Sequence, residues 1–396
     1  MKTAIIGGGA AGFFLAVNLK EMLPEMEVTI FERSSHLLAK VAVSGGGRCN
    51  CTNTFEGVRD LSAVYPRGHR LMKRLFNVFD YRDAYRWFEK HGVPLVIQDD
   101  HCVFPQAQDA QVIINCFLSL CRQYQVSIRK CEKVESLDAL HAYDYVVVTT
   151  GGSPTGEGLR WLAALGHEIA APVPSLFTFS IDDARLHSLQ GVVVDDVVAH
   201  LPGTKLRATG PLLVTHWGVS GPAILKLSSY AARLLAENDY RQLLSLNWLQ
   251  QHETDVLAKL CEMAVRQPQK QLATCNPFGL QQRLWAYLLD KSIGEQRSHI
   301  RWCELNKKDN NRLLNVLMND TYQITGRAPF KDEFVTCGGI ALSGINLSTL
   351  ESRHVPKLFF AGEVLDIDGI TGGFNFQAAW TTAYTVARSI TSLCSA

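Results

Sequence analysis

The chain has 396 residues, with 39 basic and 38 acidic side chains, a formal net charge of +1, 47% hydrophobic and 19% charged residues. That balance excludes a disordered chain, and it argues against a broad nucleic-acid or anionic-membrane footprint, which needs surplus clustered Lys and Arg. No apolar run reaches the roughly 20 residues that span a bilayer, so no membrane association is expected.

In chain order, residues 3–6 read as a short strand, 7–12 as a glycine-rich turn, and 10–22 as a helix stopped by Pro24. Residues 27–32 (EVTIFE) read as a second strand, so the first 32 residues form one βαβ unit. The small and apolar residues after Lys2 could pass for a signal peptide, but their glycine spacing has the better explanation given below; a cytoplasmic protein is expected. Residues 65–91 look helical and rich in aromatic side chains. Residues 126–137 alternate like an exposed strand or hairpin, and 143–150 (YDYVVVTT) are the β-branched run of a buried parallel strand. Pro172 and Pro174 mark a crossing point. Beyond it, residues 177–215 hold several short strands and residues 223–320 turn mostly helical. Residues 334–342 return to strand, 357–361 (KLFFA) form a short apolar strand, and a final helix runs from about 375 to 390. The pattern predicts a nucleotide-binding α/β domain, interrupted by a mixed insertion and completed by the C-terminal segment.

Three motifs carry the chemistry. Gly7, Gly9 and Gly12 form GxGxxG between strand and helix, and Glu32 lies 20 residues past Gly12 at the end of the second strand. Gly7 permits the tight turn, Gly9 admits a pyrophosphate to the backbone, and Gly12 lets helix and strand pack closely. The helix N-terminus, with Ala10 and Ala11, offers N–H groups to phosphate, while Glu32 accepts from ribose hydroxyls. The second motif is Ser44, Gly45, Gly46, Gly47, Arg48, Cys49, Asn50, Cys51, Thr52 and Asn53, a glycine-rich loop with directional polar side chains suited to a second face of a large cofactor. The third spans residues 359–377. Gly362 and Glu363 end a strand, an acidic turn follows, and Gly372 and Gly373 precede a helix beginning near Phe374, Asn375 and Gln377. Eleven scattered cysteines with no CxxC pair argue against a disulfide framework or a thiolate metal site, and no metal is expected from Glu363, Asp366 and Asp368.

Together, GGGAAG at 7–12, SGGGRCNCTN at 44–53, TTGG at 149–152, THWGVSGPAIL at 215–225 and FFAGEVLDIDGITGGFNFQAAW at 359–380 resemble the YhiN/BaiN-type bacterial flavoprotein family, often labelled NAD(P)/FAD-dependent oxidoreductases. The resemblance runs from end to end. It implies an α/β fold, with a Rossmann-like FAD-binding domain in two segments, 1–175 and 333–396. The domain inserted at 176–332 would be β-barrel-like plus helical: β-rich over 176–222 and mainly helical over 223–320. It also implies FAD contacts at Gly7–Gly12, Glu32 and the adjoining Arg33, the 44–53 loop, Thr150, Gly151, Gly362 and the 372–377 turn. Residues 39–44 (AKVAVS) depart from the family's usual basic pair, and Lys40 is the contact carried over there.

The leading expectation is an FAD-dependent oxidoreductase acting on a small organic metabolite, with NAD(P)H as a transient electron donor because no second GxGxxG–Glu unit exists. Two alternatives stand beside it. An FAD-dependent RNA-modifying enzyme would need a basic cleft, which the near-neutral charge and mixed-sign helices of the insertion do not suggest, so no nucleic-acid partner is expected. The other is a flavin-binding regulator without turnover. In THWGVSGP, His216 could face a flavin, but a turn between strand and helix capped by Thr215 or Ser220 is the preferred reading. No catalytic acid or base is assigned, and neither is an oligomeric state.

Overall fold

The structure, a computed structural model, describes residues 1–328 and 335–395. The chain divides into two compact units, Met1–Ser175 with Glu333–Ala396, and Leu176–Asp332.

The first unit is built on a five-stranded parallel sheet. Its spatial order is Leu358–Phe360, Tyr145–Val148, β1 (Lys2–Ile6), β2 (Glu27–Glu32) and Ser127–Lys130. The inner strands are near-continuous apolar runs because both faces are covered, as a parallel sheet requires. Helix α1 (Ala10–Met22) is buried at every position from Ala11 to Leu19, so it is apolar nearly all round. Phe14 sits at the centre of an aromatic cluster, with ring centroids 4.6 Å from Trp87, 5.1 Å from Trp380 and 5.5 Å from Phe79. Trp380 lies on the C-terminal helix Phe374–Ser395, which ties the two sequence segments into one core.

The second unit contains a closed six-stranded barrel. Around it run Val193–His200, Arg207–Val214, Gly218–Ser220, Phe179–Ile181, Asp320–Arg327 and Gln242–Asn247. Helices pack on it around the buried Trp248, Trp285 and Trp302. Barrel closure removes the open edges that free strands would expose.

Several elements differ from the sequence expectation. Residues 65–91 form two helices, His69–Leu75 and Tyr81–Lys90, because Asp80 and Asp83 make a reciprocal capping box that starts the second one afresh. Within 126–137 only Ser127–Lys130 is strand. It is an edge strand exposed along most of its length, and its alternation reflects that edge rather than a hairpin. Pro172 and Pro174 lie inside a strand, Ile169–Ser175, paired antiparallel with Val335–Ile340; a two-stranded ribbon has a free edge that tolerates proline. Phe334 lies outside the described residues. The region 223–320 is not purely helical: Gln242–Asn247 crosses it as a barrel strand, and Asp320 opens the last barrel strand. Without these two the β-rich 176–222 stretch could not close. Thr215 starts a turn to Gly218 between two strands, not between strand and helix. The following helix is capped by Gly221 with Pro222 in its first turn, while Ser220 Oγ pairs with Thr178 Oγ1 at 2.7 Å. Among the described residues, no helix is long and apolar enough to cross a membrane.

Two measurements probe the first unit's core. Phe14→Ala opens a cavity in a rigid cluster and should cost about 3–5 kcal/mol, read as a lowered denaturation midpoint. His167, 3% exposed, shares a hydrogen bond with Ser352 Oγ through Nε2 at 2.9 Å, and its Nδ1 has no partner. Burial, aided by the neighbouring His354 charge, pushes its pKa down to about 4. The fold thus favours the neutral ring: this contribution is complete above the unfolded value of roughly 6.5 and is lost as pH falls toward 4. In His167→Gln, stability should vary less with pH across that window.

Candidate functional site

The first unit's site starts where β1 ends. Gly7 has φ +120°, and a Cβ there would run into the Thr149 backbone. A Cβ on Gly12 would collide with the Gly7 carbonyl and lie 2.9 Å from Thr149 Oγ1. Thr149 fixes the corner by donating its hydroxyl to the carbonyls of Ile6 (3.2 Å) and Gly7 (2.9 Å). Gly9 is different: nothing lies within 4 Å of where its Cβ would be. It is the N-cap of α1, no side chain caps that end, and Ala10 and Ala11 supply none. The first-turn N–H groups and the helix dipole therefore face an open space suited to an anion. Beside it, Glu32 accepts from Gly8 N at 2.9 Å and Ser34 N at 2.8 Å, one bond to each oxygen. A carboxylate has about four acceptor sites, so both oxygens keep capacity for hydroxyl donors. Arg33 is exposed next to it.

The 44–53 loop turns through three consecutive left-handed residues, Gly45, Gly46 and Gly47, with φ of 57°, 69° and 85°. Only glycine adopts such a run at low cost. Ser44 Oγ donates to Val41 O at 2.9 Å. Arg48 stacks over Phe104 at 4.4 Å and donates to Gly45 O at 3.1 Å. Cys49 is fully buried and left-handed, and Cys51 Sγ lies 3.9 Å from its sulfur. A search for CxxC spacing passes over this neighbouring pair.

The loop is stitched to the C-terminal motif across more than 300 residues of sequence. Thr52 Oγ1 donates to Gln377 Oε1 at 2.6 Å, Asn53 Nδ2 to Gly372 O at 3.0 Å and Trp380 Nε1 to Cys51 O at 2.8 Å. Asn50 accepts from Gly373 N at 3.2 Å. Asn375 closes the turn by bonding both ways with the Gly369 backbone at 2.8 Å. Phe374 packs edge-on against Phe55 and Tyr65. Farther along the groove, Gly362 N donates to Thr382 Oγ1 at 2.9 Å. Glu363 is gripped by Lys40 Nζ at 2.7 Å and by Thr336 N at 2.8 Å. Burial raises the Asp368 carboxyl above the ordinary carboxylate range, and the Arg67 fork and Ser175 hydroxyl offset part of that rise.

The expected residues thus sort by depth. Gly7, Gly9, Ala10, Glu32, Arg33, Lys40, Ser44, Gly45, Gly46, Gly47, Arg48, Asn50, Thr150, Gly151, Glu363, Gly372, Gly373 and Asn375 keep accessible surface. Ala11, Gly12, Cys49, Thr52, Asn53, Gly362, Phe374 and Gln377 lie beneath it as buried supports. Thr149, Thr336, Arg67 and Asp368 escaped sequence reasoning. Thr336 matters because its hydroxyl is buried in the groove without a partner, next to Gly152 and Glu363. Among the described residues, no cluster of three or more metal-ligating side chains occurs.

The two glycine classes give a discriminating test. Gly9→Val should fold, since the protein leaves that space free, yet lower FAD affinity by at least about tenfold by obstructing charge-assisted N–H contacts of about 1.5–3 kcal/mol. Gly12→Val should instead lose folded protein. Gly373→Val is a poor probe of cofactor contact, because its side chain would strike the Thr52 backbone first. Unchanged FAD binding in folded Gly9→Val would place the dinucleotide elsewhere.

The HI0933-like protein Rossmann domain model matches residues 1–389. The 3-dehydro-bile acid delta(4,6)-reductase of Clostridium scindens is 26% identical over 98% of each chain. The ribosomal RNA dihydrouridine synthase of Escherichia coli is 28% identical, covering 98% of this chain and 97% of its own. Among solved structures, the 3-ketosteroid delta1-dehydrogenase of Sterolibacterium denitrificans shares the fold, with a TM-score of 0.51, 12% identity and 99% coverage of both chains. The chain therefore belongs to the HI0933-like Rossmann-domain family, the flavoprotein family that its motifs resemble.

Proposed function

We propose that this protein is an FAD-dependent reductase of a carbon–carbon double bond conjugated to a carbonyl group. The observation that carries the cofactor assignment is the uncapped start of α1 at Gly9, open to solvent and flanked by Glu32 at the tip of β2. FAD, when bound, supplies a two-electron hydride couple. The α1 N-terminus would hold its pyrophosphate and Glu32 its adenosine ribose. The 44–53 loop, Thr150, Gly151, Glu363 and the 372–375 turn would hold the remainder. Lys40 would neutralise Glu363 beside it, and the Thr336 hydroxyl is an unused donor in the same groove. Backbone N–H groups at the glycine turns orient and stabilise negative charge without the reorganisation that water would need.

The reaction class rests on what the relatives' names share. A delta(4,6)-reductase of a 3-oxo bile acid and a dihydrouridine synthase both saturate a C=C bond polarised by a carbonyl, although one substrate is a small lipid and the other a base in RNA. The bond, not the carrier, is the common element. A nicotinamide donor would dock transiently, since the first 32 residues hold the chain's single complete GxGxxG–Glu unit.

The purified protein should be yellow and release FAD rather than FMN. Anaerobic titration with NADH and NADPH should bleach the flavin, and a 3-oxo-Δ4 steroid or uridine-containing RNA should restore its colour. A colourless protein that takes up no FAD would sink the cofactor assignment. Flavin that no pyridine nucleotide reduces and no unsaturated carbonyl compound reoxidises would sink the reductase. Glu32→Ala should weaken FAD binding by about 1–3 kcal/mol by removing hydrogen bonds to a charged acceptor.

A further inference from the structure

The 223–320 region of the second unit has mixed-sign helices in sequence, but the fold separates the signs. Helix Lys307–Asn319 carries one acid, Asp309, which is 4% exposed and turned inward. There it accepts from Arg297 Nε at 2.9 Å, Asn306 Nδ2 at 2.9 Å and Asn306's helix-capping partner, its own backbone N–H, closes the turn. What remains outside is positive. Lys308, Asn311, Arg312 and Asn315 follow the three- and four-residue spacing of a single helix face. With Lys291 and Ser292 from helix Gln282–Ile293 and its end, they line an open cleft of about 460 Å³. The acid nearest Lys291, Asp320, is 2% exposed and lies behind it in the barrel wall. Asp290 and Glu295, the other acids near that helix end, do not line the cleft.

Lys307 and Lys308 occupy the first turn of their helix, where the dipole is positive and cations are disfavoured. Neither has an acidic partner among the described residues. This unfavourable placement is explained if an anion approaches from outside. From Lys308 to Asn315 the face runs about 10 Å along the helix axis, longer than one phosphate and suited to a chain of them. The cleft has no aromatic side chain for base stacking, and its donors are cations and amides. Such a surface contacts phosphate and ribose hydroxyls, positioning a strand without reading its sequence.

We infer that this cleft is a docking surface for the sugar–phosphate backbone of RNA, and that the unsaturated carbonyl substrate of the proposed reductase is a base carried on that RNA. The second clause rests on the reductase reading; the first does not. The chain-wide charge of +1, which argued against a nucleic-acid partner, averages over this local separation of signs.

The test uses the FAD-loaded full chain, a fluorescein-labelled RNA hairpin with unpaired uridines, and anisotropy across a NaCl series. Wild type should bind with an affinity that falls as salt rises. The double variant Lys308→Ala/Arg312→Ala should bind at least about tenfold more weakly, with the slope of log K against log salt reduced by about 2, one for each lost phosphate contact. A control, Lys259→Ala/Arg266→Ala on helix Glu253–Arg266 of the same unit, should leave both unchanged. Flavin content and dithionite reduction, read on the same preparations, should be equal in all three. Wild type that ignores RNA, a cleft variant that binds normally, or a control that loses as much would each overturn the docking surface. So would binding to phosphatidylglycerol vesicles in place of RNA. Failure of flavin loading with intact, cleft-dependent RNA binding would overturn the reductase instead and leave the docking surface standing.

Discussion

The backbone of residue 12 lies against the carbonyl of residue 7 with no space for a side-chain carbon between them, and Thr149 clamps the same carbonyl from the adjoining strand. Much of the first unit is arranged around that contact. It brings α1 down onto the sheet, which buries Ala11 through Leu19 and lets Phe14 reach Trp380. It also aims the uncapped end of α1 along the strand tips, where Glu32 and Gly151 end neighbouring strands. The same close approach thus serves packing and anion binding together. A larger residue at position 12 would disturb both.

The second organising feature is the stitching of residues 50–53 to 372–380. Side-chain and backbone donors alternate across this seam, and most of them are buried. Buried polar groups of this kind are costly unless every partner is present, so the seam holds one register. Gly45–Gly47 and Gly372–Gly373 are consequently held as two rigid backbone surfaces rather than as mobile loops. Lys40 with Glu363 adds a third tie, more exposed and correspondingly weaker.

The parts legible in the sequence were those with local signatures. GxGxxG with a strand before it, the β-branched run at 145–148 and Glu32 all announce themselves through spacing and period. The barrel was less legible. Gln242–Asn247 reads QLLSLN, six residues between helices, and nothing local shows that it pairs with residues 198–200 and 320–324. Pro172 and Pro174 misled for a related reason: their strand is tolerated because of an edge that only the pairing reveals. At the site, the motifs located the loops, but depth was invisible. Cys49 and Gln377 belong to the same motifs as Arg48 and Asn375, yet lie wholly buried, because whether a residue lines or supports a groove depends on the tertiary seam. Thr336 and Asp368 were missed since a lone hydroxyl or carboxylate has no sequence period. The sign separation on helix Lys307–Asn319 also needed the fold, which turns Asp309 inward.

The parallel sheet has a consequence for synthesis on the ribosome. Tyr145–Val148 sits between β1 and Leu358–Phe360, so one of its edges stays unpaired until the last part of the chain has emerged. The barrel, by contrast, has all its strands within residues 179–327, and its first and last strands lie side by side, with Ala328 N donating to Thr178 O at 3.1 Å. The nascent inserted unit can therefore close while the sheet that brackets it still presents a bare YVVV edge. That edge is apolar and β-branched, the kind that other chains pair with. Vectorial synthesis leaves this protein most prone to aggregation during the interval between residues 148 and 358, and an early stop or a stalled ribosome in that interval would leave the edge uncovered.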